Sequence, residues 1–474
     1  MSSSNIAHRL AVPFIVGCAA ANGCNAQAQF AVAEAPDWRA GEAGTLSDQV
    51  QLTFPDRFVK AGESYFSPDG SKIIFQGIEH VAEGETAEAH YQMYVGQVVS
   101  DAAGNIVAID EITRLSPVGS SNTCGWFHPT RPGVVVFGST VVPPTIDAAS
   151  GYQRGVSRYI WHFPKEMTIV ECDLTTADGT AASLRPLVQD PAAYLAECAM
   201  SPNGRFMVYC KRVESEGQVG GDLIVHDFQT RREVIVAGNL GYDGGPFFSP
   251  DGTRLCYRSD RRGDDLLQVF VAELAFNEAD GSIIGLAREF QLTDNPYVNW
   301  APYWHPAGRQ LLYTTNEISP IDHSNYEIFV IDADAGGSGG VTGGGGPARY
   351  GTKRRRITFA DGFDGLPAFA ADGRTVIWTS QRGEGGSSQL WAAKLVLDLD
   401  AVITAPGETD ASSREPDQTM ITIRDDERGI IYLYNPKTHE LQAYDPATHK
   451  SRQVTENTEM QRALELYRRS RDIE

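Results

Sequence analysis

A tight turn of the form Ser-Pro-Asp-Gly, entered from one apolar run and left into another, recurs along this chain and restricts what it can become. Its clearest copy starts at Gly245. Pro246 to Phe248 are apolar, Ser249 to Gly252 make the turn, and Leu255 to Tyr257 form a second run. A charged loop from Ser259 to Asp265 leads into a third run, Leu267 to Leu274. Proline at the second turn position presets φ and glycine tolerates φ > 0, so the chain reverses tightly. Short β-rich runs separated by turn residues read as antiparallel strands. One such sheet cannot bury both of its faces, so the unit calls for copies of itself.

The copies are present. They begin at Glu63, Thr123, Glu197, Gly245, Ala301 and Leu366, and each is followed by a third apolar run such as Tyr91 to Val99 or Gln389 to Leu395. A fourth run lies between units, as at Glu233 to Ala237, Phe290 to Thr293 and Arg356 to Phe359. Four strands in each of six units predict an all-β fold, a six-bladed β-propeller of four-stranded antiparallel blades spanning residues 49–397. Gln51 to Phe54 resembles the closing strand Gln291 to Thr293 but precedes the first unit. This early strand is therefore expected to complete the sixth blade and join the two ends of the ring.

The turns at Ser67 to Gly70, Ser201 to Gly204 and Ser249 to Gly252, with Ser259 to Gly263 and Ser380 to Gly383 after the second strands, carry a family resemblance. They resemble the TolB-like, or WD-repeat-like (PD40), propeller repeats of bacterial envelope proteins. The resemblance implies a periplasmic or secreted scaffold that binds a protein or peptide. Units two, five and six depart from the turn motif at His128-Pro129-Thr130, His305 to Gly308 and Ala370 to Gly373.

Outside the ring, residues 1–28 read as an export signal: His8 and Arg9, an apolar stretch from Leu10 to Val16, and a small-residue cleavage site at Ala26 to Ala28. A second reading takes Ile15 to Cys18 as a lipobox with a lipid anchor at Cys18. No uninterrupted apolar run is long enough to predict a transmembrane span. Ala335 to Gly346 is a glycine tract inside the fifth unit, and 398–418 reads as a linker. Residues 419–474 are expected to form a small β appendage of four short strands, or else a seventh blade, followed by a helix over Thr458 to Arg471. A net charge of −21, with 40 basic against 61 acidic residues, excludes a general nucleic-acid binder. Cleavage after Ala28 leaves five cysteines without metal-type or paired spacing, which predicts free thiols and no zinc site; only Cys198 and Cys210 flank one turn closely enough to meet.

Strand alternation sends every loop after a second strand, and every link between blades, to one face. That face receives the long segments Glu79 to His90, Thr140 to Tyr159, Val213 to Gly221 and Glu317 to Asn325, and binding is expected there. Asn122, Asp243, Asn299 and Asp364, each seven residues before the second turn position, are expected at the channel mouth, with Glu63 and Glu197 two positions deeper. Such a ring of oxygens suits a cation or the hydrogen-bond donors of a peptide or sugar. Tyr159 and Trp161 offer an aromatic platform. Arg261, Arg262 and Arg382 fit structural ion pairs, and His128 and His305 fit structural turn positions. The G-x-S-x-G match at 336–340 lies in the glycine tract, without the strand and helix of a nucleophile elbow. The expectation is a non-catalytic, exported, partner-binding propeller without a cofactor. The alternative is a propeller-type enzyme acting on an extracellular oligosaccharide or peptide, such as a metal-dependent lyase.

Overall fold

Each apolar run becomes a strand because its turn has an internal lock. In the first unit Ser67 Oγ donates to Asp69 Oδ1 at 2.6 Å, the same oxygen accepts Ser71 N at 3.0 Å, and Lys72 N donates to Ser67 Oγ at 2.9 Å. Ser249 with Asp251, and Ser201 with Asn203, repeat this pattern. The glycine that ends the turn sits at φ 71°, 70° and 72° in the three copies. Where serine is replaced, the His128 and His305 rings take over as acceptors of turn N–H groups through Nδ1. Both histidines are structural.

The computed structural model describes residues 37–81, 90–145, 164–215, 218–238, 241–263, 266–318, 325–333 and 354–399, together with 421–425, 428, 430–435, 440–445, 450–454 and 462–463. A short helix, α1 (Trp38–Glu42), leads into β1 (Leu46–Gln51). Blade one then runs through β2 (Phe58–Phe66), β3 (Lys72–Glu79), β4 (Gln92–Ser100) and β5 (Ile106–Arg114). Blade two is β6 (Asn122–Phe127), β7 (Val134–Ser139), β8 (Thr168–Asp173) and β9 (Leu184–Val188). Blade three is β10 (Leu195–Met200), β11 (Phe206–Ser215), β12 (Gln218–Asp227) and β13 (Arg232–Ala237). Blade four is β14 (Asp243–Phe248), β15 (Arg254–Ser259), β16 (Gln268–Phe276) and β17 (Ile283–Gln291). Blade five is β18 (Asn299–Trp304), β19 (Gln310–Thr315), β20 (Glu327–Asp332) and the short β21 (Arg354–Arg356). Blade six has β22 (Asp364–Phe369), β23 (Thr375–Ser380) and β24 (Gln389–Leu395), and its outer strand is β1.

The early strand does close the ring. It starts at Leu46, upstream of the expected Gln51, pairing Leu46 with Leu395 and Gln51 with Trp391; Leu52 N then donates to Leu390 O at 2.8 Å. Blade six meets blade one directly, through Ala61 N to Ser388 O at 2.8 Å and Gln389 Nε2 to Phe58 O at 3.0 Å. That contact leaves no room in the ring for a seventh blade. The late segment makes a four-stranded sheet of its own, β25 (Ile421–Asp425), β26 (Ile430–Asn435), β27 (Glu440–Asp445) and β28 (Lys450–Gln453). Inside the ring, apolar side chains of adjacent blades interleave; Leu312, Ile328 and Val330 of blade five pack with Phe369 and Trp378 of blade six.

One expected loop is not a loop. Val213 to Ser215 and Gln218 to Gly221 continue the paired strands, with Ser215 opposite Gln218, and Gly221 bridges to Tyr242. The five cysteines among the described residues are free thiols; Cys198 and Cys210 do not meet, because the strand bulges between Ala196 and Ala199 and sends them into different core clusters. The leader residues 1–28 and most of the linker and terminal helix lie outside the described residues.

The closure carries a buried ionic clamp. Arg382, fully enclosed, donates to Glu42 Oε2 at 2.8 Å, Glu42 Oε1 at 2.9 Å and Asp364 Oδ2 at 2.8 Å, with Trp38 at 4.3 Å and Trp378 at 5.0 Å from its guanidinium carbon. Removing one member of such a cluster leaves its partners buried and unpaired. Arg382→Leu is expected to destabilise the propeller by about 3–5 kcal/mol, read as a fall in the denaturation midpoint.

Candidate functional site

The inner strand of every blade breaks its pairing at the same place. Five residues before the second turn position stand Glu63, Cys124, Glu197, Gly245, Ala301 and Leu366, with φ of 44°, 54°, 57°, 57°, 49° and 56°. Each lies in a β-bulge, as between Gly62 and Ser64 or Gly365 and Ala368. A left-handed residue costs a non-glycine side chain roughly 1–2 kcal/mol, so a conformation repeated around the ring has a reason. Bulges re-aim side chains. Here the bulge N–H turns to the neighbouring blade: Glu63 N donates to Thr379 Oγ1 at 3.0 Å, Leu366 N to Thr314 Oγ1 at 3.2 Å and Gly245 N to Glu197 Oε2 at 2.5 Å.

Two residues further along each inner strand, the ring is closed on its axis. Tyr65, Trp126, Phe247 and Tyr303 come from blades one, two, four and five. Tyr65 and Phe247, on opposite blades, have ring centroids 5.4 Å apart, and Trp126 and Tyr303, also opposite, 6.3 Å apart. Neighbouring contacts of 5.1 Å (Tyr65–Trp126) and 5.2 Å (Phe247–Tyr303) complete the layer. Side chains from facing blades can touch only if no bore remains between them. The central channel is a blind well, floored by aromatic rings.

Just above the floor lies a polar tier. Glu197, buried, accepts the Tyr242 hydroxyl at 2.6 Å and Arg258 at 3.2 Å as well as Gly245 N. Arg258 also donates to the Tyr242 hydroxyl at 2.9 Å and stands 5.6 Å from the Trp300 ring. Gly244 and Gly245 make this arrangement possible. A Cβ at the first would meet the Tyr242 hydroxyl at 2.0 Å, and one at the second the Arg258 Nη1 at 2.2 Å. Gly245→Ala is expected to displace Arg258 and lower stability by about 1–3 kcal/mol, visible in thermal melting.

Glu63 lies deep in the ring yet keeps part of its surface open, as do Cys124 and Leu366 at the same level. Its carboxyl accepts the Tyr65 hydroxyl at 3.3 Å and hydrogen-bonds the Cys124 thiol. Burial lifts the Glu63 carboxyl above its ordinary range, against the opposing pull of Cys124 and Arg258. Burial and the neighbouring glutamates also push the Cys124 thiol well up, so it is poorly suited to act as a thiolate nucleophile.

The four outer residues are not at an open mouth. Asn122, Asp243, Asn299 and Asp364 are all buried; the two asparagines reach the preceding blade, and the two aspartates accept donors of their own blade. Asn122 Nδ2 donates to Ser120 Oγ at 2.9 Å and Gln92 Oε1 at 3.2 Å; Asn299 Nδ2 donates to Asn295 Oδ1 at 2.7 Å and Gln268 Oε1 at 3.1 Å. Asp243 accepts Arg261 at 3.4 Å, and Asp364 accepts Trp378 Nε1 at 3.0 Å besides Arg382. For the two asparagines the physical reason is the start of the third strand in blades one and four, which brings Gln92 and Gln268 against the next blade. Arg261, Arg262 and Arg382 form the structural ion pairs expected of them. Tyr159 and Trp161 lie outside the described residues. Among the described residues no cluster of three metal-ligating side chains occurs.

The recurring Ser-Pro-Asp-Gly lock, the four-stranded blade and the borrowed outer strand of blade six together decide the architecture. The fold is a six-bladed β-propeller. No family model matches the chain. An uncharacterized protein of Agrobacterium fabrum is 26% identical over 139 residues, 29% of this chain and 42% of that protein, so the match spans less than half the relative's length. A structure assigned to TolB from Agrobacterium tumefaciens is 15% identical with a TM-score of 0.41, covering 71% of this chain and 91% of its own. TolB from Acinetobacter baumannii is 13% identical with a TM-score of 0.40, covering 70% of this chain and 63% of its own.

Within this propeller the raised Glu63 value has a sign. A carboxyl whose folded pKa is raised stabilises fully below its unfolded value, about 4.3, and loses that contribution as pH rises through the folded value. The wild type should therefore lose stability relative to Glu63→Gln as pH increases across that window, measured as the difference in Tm at a series of pH values.

Proposed function

We propose that this chain is a non-catalytic propeller scaffold that binds a protein or peptide partner on its loop-rich face, outside the cytoplasm. One observation carries the reading. Three of the longer connections, from Glu79 to Gln92, Ser139 to Thr168 and Thr315 to Glu327, issue on the face reached by second strands, while the opposite face has tight first-to-second-strand turns and one long connection, from Asp332 to Arg354. The blind axis adds that a partner is met on a face of the ring rather than threaded through it. Export rests on the leader-like residues 1–28. Among the described residues no helix is long and apolar enough to cross a membrane.

Val118 and Val142 lie on the loop-rich face, 75% and 58% exposed, whereas Ala279 is exposed on the opposite one. A photo-crosslinking residue at Val118 or Val142 is expected to give a discrete covalent adduct in cells of the native host. The same residue at Ala279 should not. Equal capture from both faces would reject the assignment.

A further inference from the structure

The polar tier of the well is unevenly neutralised. Glu197 is matched by Arg258. Glu63 has no ion-pair partner among the described residues: its hydrogen-bonding neighbours are a tyrosine hydroxyl and a thiol, and Arg258, paired with Glu197, acts on it without forming an ion pair. With Arg258 committed to Glu197, an ionised Glu63 leaves one uncompensated negative charge over the aromatic floor.

A second buried acceptor lies at the same level of blade one. Opposite the bulge, on the second strand, Arg258, Thr314 and Thr379 each reach a bulge residue of a neighbouring blade. Gln76 holds this register in blade one, paired with Gly62 beside Glu63. It is only 9% exposed, and its Oε1 accepts no hydrogen bond among the described residues. A buried acceptor without a donor is costly. A carboxylate and an amide oxygen above aromatic faces suit a group that is cationic, carries several N–H donors and is stabilised by π surfaces.

We propose that the closed end of the axial well binds an alkylammonium group, with Glu63 as counter-charge, Gln76 Oε1 as second acceptor and Tyr65, Trp126 and Tyr303 as floor. The group comes either from a small free amine or from a lysine side chain of an inserted peptide segment. Because burial raises the Glu63 pKa, binding tightens as pH rises and the Glu63 carboxyl ionises. This site is independent of the partner-binding reading, and its failure would leave the face-specific crosslinking result untouched.

Saturation-transfer NMR on the whole protein tests it with n-butylammonium, neutral 1-butanol and a short lysine-bearing peptide. Saturable binding of either amine, with no butanol binding, is expected. Glu63→Gln should weaken it by about tenfold or more, the loss of one charge-assisted contact. Glu63→Asp should retain its pH dependence, and Gln76→Leu should weaken it several-fold, each variant being checked for wild-type melting. Butylammonium binding assigns a small-molecule site; binding of the peptide alone, lost in Glu63→Gln, assigns a partner's lysine. Unchanged affinity in Glu63→Gln, equal binding of butanol, or no binding of either amine overturns the proposal.

Discussion

The pairing of β1 with β24 bears on every other contact in the ring. Each blade covers its neighbour's apolar face, and a closed circle has no terminal blade to leave uncovered. That condition holds only while a strand from before the first blade remains hydrogen-bonded in the last. The backbone ladder supplies direction and register. The Glu42–Arg382–Asp364 cluster supplies a lock that water cannot reach. Breaking the ladder would expose two blade faces at once, so the closure concerns all six blades.

The same repetition produces the well. A bulge in every inner strand turns one residue per blade out of the regular ladder, and the strand then resumes with the side chain that meets its counterparts at the axis. Blades three and six carry Ala199 and Ala368 at the axial level, and the larger rings of the other four fill the space. Uneven residues on an even backbone thus give a floor that is aromatic and a tier above it that is polar and asymmetric. Glutamates occur in blades one and three, but only the second finds an arginine.

Much of the architecture was legible because it is repeated. Turn chemistry, strand count and the displaced closing strand each follow from short patterns such as Ser249 to Gly252 and from the resemblance of Gln51 to Phe54 to a last strand. The site was less legible. Asn122, Asp243, Asn299 and Asp364 align as a ring in sequence, yet alignment does not report which face of a strand meets the next blade. Gln92 and Gln268 of the preceding blades enclose the two asparagines, and Arg261, Trp378 and Arg382 engage the two aspartates. Glu63 and Glu197 were placed at the right depth, but Arg258 and Tyr242 were missed because they arrive from another blade. The aromatic floor did leave a signal: Tyr65, Trp126, Phe247 and Tyr303 all stand three residues before a turn proline.

That floor has a further consequence for how the molecule comes apart. In an open repeat array each unit senses only its immediate neighbours, and unfolding spreads one unit at a time. Here Tyr65 touches Phe247 across the full diameter, and Trp126 touches Tyr303. These hub contacts connect segments far apart along the perimeter, so loosening one spoke is felt diametrically opposite. The wheel is built to fail as one cooperative body, not petal by petal.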